Sequence, residues 1–184
     1  MLVMDSLVFV TGNEEKLAEA KSILSDFVIK NVVLDLPELQ GDRELVVKEK
    51  ARLAAKKLAM PCFVDDTSLC FTALKGLPGI YVKEFLDKIG REGLVNLLTG
   101  FEDKSAKAIC MIGFCAPGKE PVCFEGITEG AIVSPKGDKF GWDPIFQPFG
   151  YKKTYAEMSK DEKNKLSHRK KALLKFKKFL DKEK

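Results

Sequence analysis

An α/β fold, with a mixed β-sheet flanked by helices, is what this sequence predicts, and three patterns predict it. Short apolar, β-rich runs alternate with helix-like segments from residue 7 to about residue 66, the order that builds strand–helix–strand units. Two longer β-rich stretches, 106–116 and 121–133, are separated only by the turn signal Pro117-Gly118-Lys119, so they form a hairpin and bring antiparallel pairing into the sheet. A basic segment with helical periodicity, 161–180, closes the pattern. The chain has 184 residues, about one domain's worth, enough to bury roughly two-thirds of the unfolded surface. One domain over residues 1–184 is expected.

The elements follow in order. Residues 7–11 are an apolar strand ending in the turn Thr11-Gly12-Asn13, and 14–25 read as a helix with Leu17, Ala20, Ile23 and Leu24 at helical spacing. A strand-to-helix turn of this kind presents backbone N–H groups and the positive end of a helix dipole, which suits a phosphate, and Lys16 adds a point charge. An ordinary N-cap by Asn13 accounts for the same residues equally well, because P-loop spacing is missing. Residues 27–34 form a second strand and 37–42 a loop. Asp42 caps a long helix reaching about residue 60. On that helix Lys48, Glu49, Arg52 and Lys56 share a polar face, whereas Lys50 falls between Val46 and Ala54 in the apolar arc. A lysine there either snorkels to the edge or reaches an anionic partner.

Residues 62–66 form a short strand running into the polar cluster Asp65-Asp66-Thr67-Ser68. Side chains alternate faces along a strand, so the two aspartates are expected to do different jobs. Their oxygens suit a hard ion such as Mg²⁺; a solvated turn is the plain alternative. A loop at 75–79 and helices near 80–89 and 91–98 precede the hairpin. Phe140-Gly141-Trp142-Asp143-Pro144-Ile145-Phe146 then combines aromatic rings with a carboxylate. That composition suits a planar base: stacking contributes about 1–3 kcal/mol per base, and Asp accepts a ring N–H. An aromatic core plug uses the same residues. Ser167-His168-Arg169 is placed on the final helix, where neighbours diverge by about 100°, so a Ser/His nucleophilic pair is not expected.

Composition narrows the function classes. No apolar run approaches the ~18 residues that cross a bilayer, and the N-terminus lacks a basic start and a small-residue cleavage site. A cytoplasmic protein with no membrane partner is expected. Five cysteines without a C-x-x-C pair and a single histidine point to reduced, buried thiols and away from the usual zinc sites. The net charge of +4 hides an asymmetry, since residues 151–184 carry 13 Lys/Arg against 5 Asp/Glu. Such a tail suits nucleic acid, a membrane surface or a phosphorylated small molecule, and composition does not choose among them.

Taken together, Thr11-Gly12-Asn13 with Lys16, Leu36-Pro37-Glu38-Leu39-Gln40-Gly41, Asp65-Asp66-Thr67, Leu77-Pro78-Gly79, Phe140-Gly141-Trp142-Asp143-Pro144 and Ser167-His168-Arg169 resemble the inosine triphosphate pyrophosphatase (HAM1-like) family. The likeness runs in order from about residue 7 to about residue 180, and 101–106 and 155–158 are similar to its eukaryotic branch. The resemblance implies an elongated α/β homodimer in which two lobes enclose a central nucleotide cleft. It implies hydrolysis of ITP, dITP and XTP between the α- and β-phosphates, with Mg²⁺ as cofactor and Mn²⁺ as the alternative ion. Carried onto matching positions, Thr11, Gly12, Asn13, Glu14, Glu15 and Lys16 hold phosphates, with Lys50 and Lys163 as further cations. Glu38 and Asp66 bind the metal, Asp65 or Asp66 orients or deprotonates the attacking water, and Thr67 lines the substrate site. Phe140, Gly141, Trp142 and Asp143 form the base pocket with Ser167, His168 and Arg169. Two other readings remain: a Maf-like pyrophosphatase for pyrimidine or modified nucleotides, which the 140–144 and 167–169 segments disfavour, and a nucleic-acid-binding module using the basic tail, which leaves the acidic cluster without a role. No stable nucleic-acid partner is expected.

Overall fold

The computed structural model describes residues 6–37, 39–139 and 141–183. In chain order the elements are β1 (Ser6–Val10), α1 (Glu14–Ile23), β2 (Val28–Val32), α2 (Arg43–Leu58), β3 (Cys62–Phe71), β4 (Pro78–Gly79), α3 (Val82–Asn96), β5 (Ser105–Cys115) and β6 (Val122–Ile132). A 3₁₀ turn (Asp143–Ile145), β7 (Phe146–Pro148), α4 (Lys160–Leu166) and α5 (His168–Glu183) complete the chain. The strands form one mixed sheet in the order β2-β1-β3-β5-β6-β7, with β4 paired to β3. β1 runs parallel to β2 and β3, as strand–helix–strand connections require. β4 on β3 and β7 on β6 are antiparallel. β5 and β6 are neighbours joined by a turn too short for a crossover, so the predicted hairpin is present.

The chain divides into two compact units. The first comprises residues 1–66, 110–126 and 169–184. Its strands bury both faces, and the period-2 alternation assigns each face its helices. Leu7, Phe9, Phe63, Cys110 and Ile112 pack against Ala20 and Leu24 from α1 and its end, and against Ala172, Leu173 and Phe176 of α5. Val8, Val10, Cys62, Val64 and Met111 face Val47, Ala51, Ala54 and Ala55 of α2. Phe9 and Phe63 stack at 4.3 Å on the first face. The second unit comprises residues 67–109 and 127–168. Its core joins Leu69, Phe71, Ala106, Ala108, Ile132 and Phe146 to Val82 and Leu94 of α3 and to the buried Tyr155.

Two expectations are corrected. The strand expected to stop at residue 66 continues to Phe71, so the polar cluster lies inside β3. Ser68 is fully buried and Asp65 nearly so; the cations that hold Asp65, Lys16 and Arg169, lie far away in sequence, and a local reading takes such a carboxylate for a solvated one. The final helix expected over 161–180 is two helices broken at Ser167, whose backbone is extended (φ −65°, ψ 148°). α4 begins with a capping box, in which the Ser159 hydroxyl accepts from the Glu162 amide and the Glu162 carboxylate accepts from the Ser159 amide. At its other end the Thr128 hydroxyl donates to the Leu166 carbonyl at 2.8 Å, an acceptor outside the helix's own ladder. Ser167 and His168 therefore do not share a helix, and the 100° argument about them does not apply. The helices expected near 80–89 and 91–98 are joined end to end as α3, with Gly90 (φ 68°, ψ −175°) as a non-helical joint between them.

Candidate active site

In the first unit the acidic pair of β3 sits between cations from both helical layers. Asp65 points toward α1 and α5, the side that also takes Phe63. Lys16 of α1 donates to its Oδ1, and Arg169 at the start of α5 donates Nε–H to its Oδ2 at 2.8 Å. The Arg169 Nη1 also donates to Glu19 of α1 at 2.6 Å. Two cations and two carboxylates thus form a network of balanced charge around the buried Asp65–Arg169 pair, with Lys16 and Glu19 part-buried, the condition under which buried ions are tolerated. Burial pushes the Asp65 carboxyl up, but Lys16 and Arg169 outweigh it and hold it well below the usual carboxylate range. Burial pulls the Arg169 guanidinium down, and Asp65 and Glu19 more than reverse it. The Cys110 Sγ lies 3.7 Å from Asp65 Oδ2; burial, then that carboxylate, push its thiol far up.

Asp66 points the other way, toward α2, where the Lys50 ammonium stands 3.4 Å from its Oδ1. Both side chains are about one-fifth exposed, so Lys50 reaches an anionic partner. The opposite-face placement expected for the two aspartates is present.

At the turn before α1, the N-cap reading of the sequence has its counterpart. Asn13 is a true N-cap: its side chain accepts from the Glu15 and Lys16 amides at 3.0 and 3.1 Å. The Asn13 amide donates to the Thr11 hydroxyl and the Thr11 amide to the Val32 carbonyl. Among the described residues, the Gly12 and Glu14 amides are the two of this turn left without a partner in the protein.

In the second unit Trp142, Tyr155 and His168 form an aromatic cluster. His168 lies 5.6 Å from the Trp142 ring and stacks on Tyr155 at 5.8 Å, with its Nδ1 3.5 Å from the Tyr155 hydroxyl. Lys163 of α4 pairs with Asp143 at 2.5 Å, and its ammonium lies over the Tyr155 ring at 5.2 Å. Ser167 is fully buried at the break between α4 and α5. Thr67 follows Asp66 on β3 at the start of this unit. Gly141 has φ 75°, a left-handed conformation that glycine adopts without strain.

Glu38 and Phe140, both expected in the site, lie outside the described residues. Sequence reasoning missed Glu19 and Tyr155 as parts of these clusters. Tyr155 lies in the 155–158 segment that resembled the eukaryotic branch but carried no chemistry of its own.

Among the described residues no three His, Cys, Asp or Glu side chains converge as a metal cluster. Asp66 offers one hard-oxygen ligand, and Mg²⁺ bound with substrate phosphates takes one or two protein carboxylates.

The chain is 51% identical over 184 aligned residues to the inosine triphosphate pyrophosphatase of Aspergillus fumigatus, covering 98% of this chain and 97% of that one. Its fold matches a HAM1 protein from Coxiella burnetii (TM-score 0.86, 30% identity, 96% and 98% of the two chains). It also matches a protein of Mycobacterium abscessus described as a nucleoside-triphosphatase / dITP/XTP pyrophosphatase (TM-score 0.74, 29% identity, 93% and 98%). The Ham1 family model matches residues 7–179; the chain belongs to the Ham1 family.

Proposed function

We propose that this chain is a nucleoside triphosphate pyrophosphatase that hydrolyses ITP, dITP and XTP between the α- and β-phosphates, releasing the monophosphate and pyrophosphate. The observation that carries the reading is the 51% identity, over nearly both full lengths, to a protein named inosine triphosphate pyrophosphatase. The chemistry of the residues supports it. Lys16 and Lys50 supply positive charge for a triphosphate, and the Gly12 and Glu14 amides supply donors. Asp65 is committed to Lys16 and Arg169 and is a poor proton acceptor, because a strongly lowered pKa removes the driving force. That favours Asp66 for orienting the attacking water and leaves Asp65 to position Lys16. Asp66, with Glu38, would hold Mg²⁺, which when bound neutralises phosphate charge. The protein needs no covalent nucleophile, since water attack on phosphorus is accelerated by positioning and electrostatics.

Trp142, Asp143 and His168, with Phe140, would read the base. A 6-oxo purine offers O6 as acceptor and N1–H as donor, and adenine reverses both. A site built for the first pattern leaves groups unpaired with the second, a mismatch that discriminates by about 10⁴-fold. In the same reading Lys163 is a further cation for the substrate, the protein is a cytoplasmic homodimer, and Mn²⁺ substitutes for Mg²⁺. Among the described residues no helix is long and apolar enough to cross a membrane.

The test is product analysis after incubation with Mg²⁺ and, separately, ITP, XTP, ATP, GTP and dUTP. Monophosphate and pyrophosphate from ITP and XTP alone, lost on chelation, is the expected result. Orthophosphate release, or no preference for 6-oxo purines, overturns the reading.

A further inference from the structure

The joint in α3 places one side chain against the loop that carries Trp142. Gly90, with φ 68° and ψ −175°, interrupts the helix, and Arg91 restarts it. From there the Arg91 Nε–H donates to the Gly141 carbonyl at 2.8 Å, and its Nη2–H donates to the Lys139 carbonyl at 2.7 Å. These two N–H groups form one straight edge of the guanidinium, and both bonds run to carbonyls two residues apart. A lysine, a single point of charge, has no equivalent edge.

The two carbonyls are informative ones. That of Gly141 belongs to the peptide leading into Trp142, and that of Lys139 ties the same turn two residues earlier. Fixing a peptide plane fixes the direction from which the next side chain departs. The rest of the loop is already tied elsewhere. The Thr154 hydroxyl donates to the Lys136 carbonyl at 2.9 Å, and the Lys136 amide donates to the Pro144 carbonyl. Lys139 sends its ammonium to the Tyr155 and Met158 carbonyls. A Cβ built on Gly137 would stand 2.9 Å from Ala156 Cβ, so the backbone packs closely there. Those contacts hold the stem of the loop, and the Arg91 fork holds the turn at Gly141 that delivers the indole.

We propose that Arg91 is a positioning residue for base recognition: by clamping the Lys139 and Gly141 carbonyls it fixes the Trp142 indole in the attitude that stacks on a purine. The inference rests on the proposed pyrophosphatase reading for its ligand, and on geometry alone for the clamp. Trp142 is the only tryptophan in the chain, so its fluorescence reports the clamp without any substrate.

The experiment compares wild type with Arg91→Lys and Arg91→Gln by indole emission, acrylamide quenching, thermal melting and steady-state kinetics on ITP. Both variants are expected to show a red-shifted, more readily quenched Trp142. KM is expected to rise about tenfold, equivalent to about 1.4 kcal/mol of binding, while kcat changes less than about twofold. That split follows from losing binding shared by ground and transition states. A purely structural Arg91 would instead lower the melting temperature and apparent kcat with KM unchanged, and that result overturns the proposal. So does unchanged Trp142 emission and quenching in both variants. If wild type fails to hydrolyse ITP, the functional reading falls, whereas the fluorescence arm still decides whether the clamp exists.

Discussion

Asp65 and Asp66 are adjacent in the chain, yet β3 turns them to opposite faces and so to different cations. Replacing Asp66 with Asn removes a charge from a partly solvated pair with Lys50. Turnover of ITP is expected to fall by at least about 10²-fold with the melting temperature unchanged; full activity would take Asp66 out of the mechanism. Asp65→Asn acts on the fold instead. It leaves Lys16 and Arg169 facing Glu19 alone among the network's carboxylates, and breaking a buried pair in this way costs about 3–5 kcal/mol, measurable by urea denaturation. The same carboxylate sets a pH dependence. Its folded-state pKa lies below its unfolded value, so the unfolded chain binds the proton more readily. Its contribution is complete above the ordinary carboxylate pKa of about 3.9 and is lost as pH falls below that toward the folded value. Urea midpoints taken from pH 6 down to pH 3 should fall in wild type, and less steeply in Asp65→Asn.

At the scale of elements, what was legible in the sequence depended on where each signal's partner lies. Helix starts carry their own caps, so Asn13 and Asp42 were readable from neighbours alone. The capping box at Ser159 is equally local, and Ser159→Ala should cost about 1 kcal/mol, as measured by chemical denaturation. The hairpin was readable because its turn residues are contiguous. The continuation of β3 through four polar residues was not, because Asp65 is neutralised by Arg169, 104 residues later. The break between α4 and α5 was hidden for a related reason: Ser167 has no Gly or Pro beside it, and the residue that takes up the Leu166 carbonyl is Thr128, on β6. Of the candidate site, the residue types near β3 and in the Trp142 loop could be picked out by charge and aromaticity. The carbonyls that Arg91 holds could not, since a backbone acceptor has no letter in the sequence. Close strand approach is similarly silent. A Cβ on Gly130 of β6 would sit 2.4 Å from the Gln147 carbonyl oxygen and 2.8 Å from the Phe146 ring. Gly130→Ala should therefore destabilise the β6–β7 pairing by about 1–3 kcal/mol, seen as a lower urea midpoint.

Over the whole molecule, the thiols offer a test of whether the chain behaves as one domain. All five cysteines are free; four are buried and Cys123 is half-buried. Burial pushes the Cys62 thiol up to about 12, and burial with the nearby Glu44 pushes Cys123 up to about 11. Thiolate is the reactive form, so native protein at neutral pH should react slowly with a disulfide reagent at every position, and rapidly at all five once unfolded. The distribution adds a second piece of information. Cys62, Cys110, Cys115 and Cys123 belong to the first compact unit and Cys70 to the second. Three strands, β3, β5 and β6, pass from one unit into the other without an intervening linker. Melting either unit therefore frays strands that the other requires, and we expect a single cooperative transition. Labelling across a urea series, with modified peptides located by mass, should give the same midpoint for Cys70 as for the other four. A Cys70 midpoint well below or above theirs would mean that the two units open separately and that 1–184 is not one folding unit.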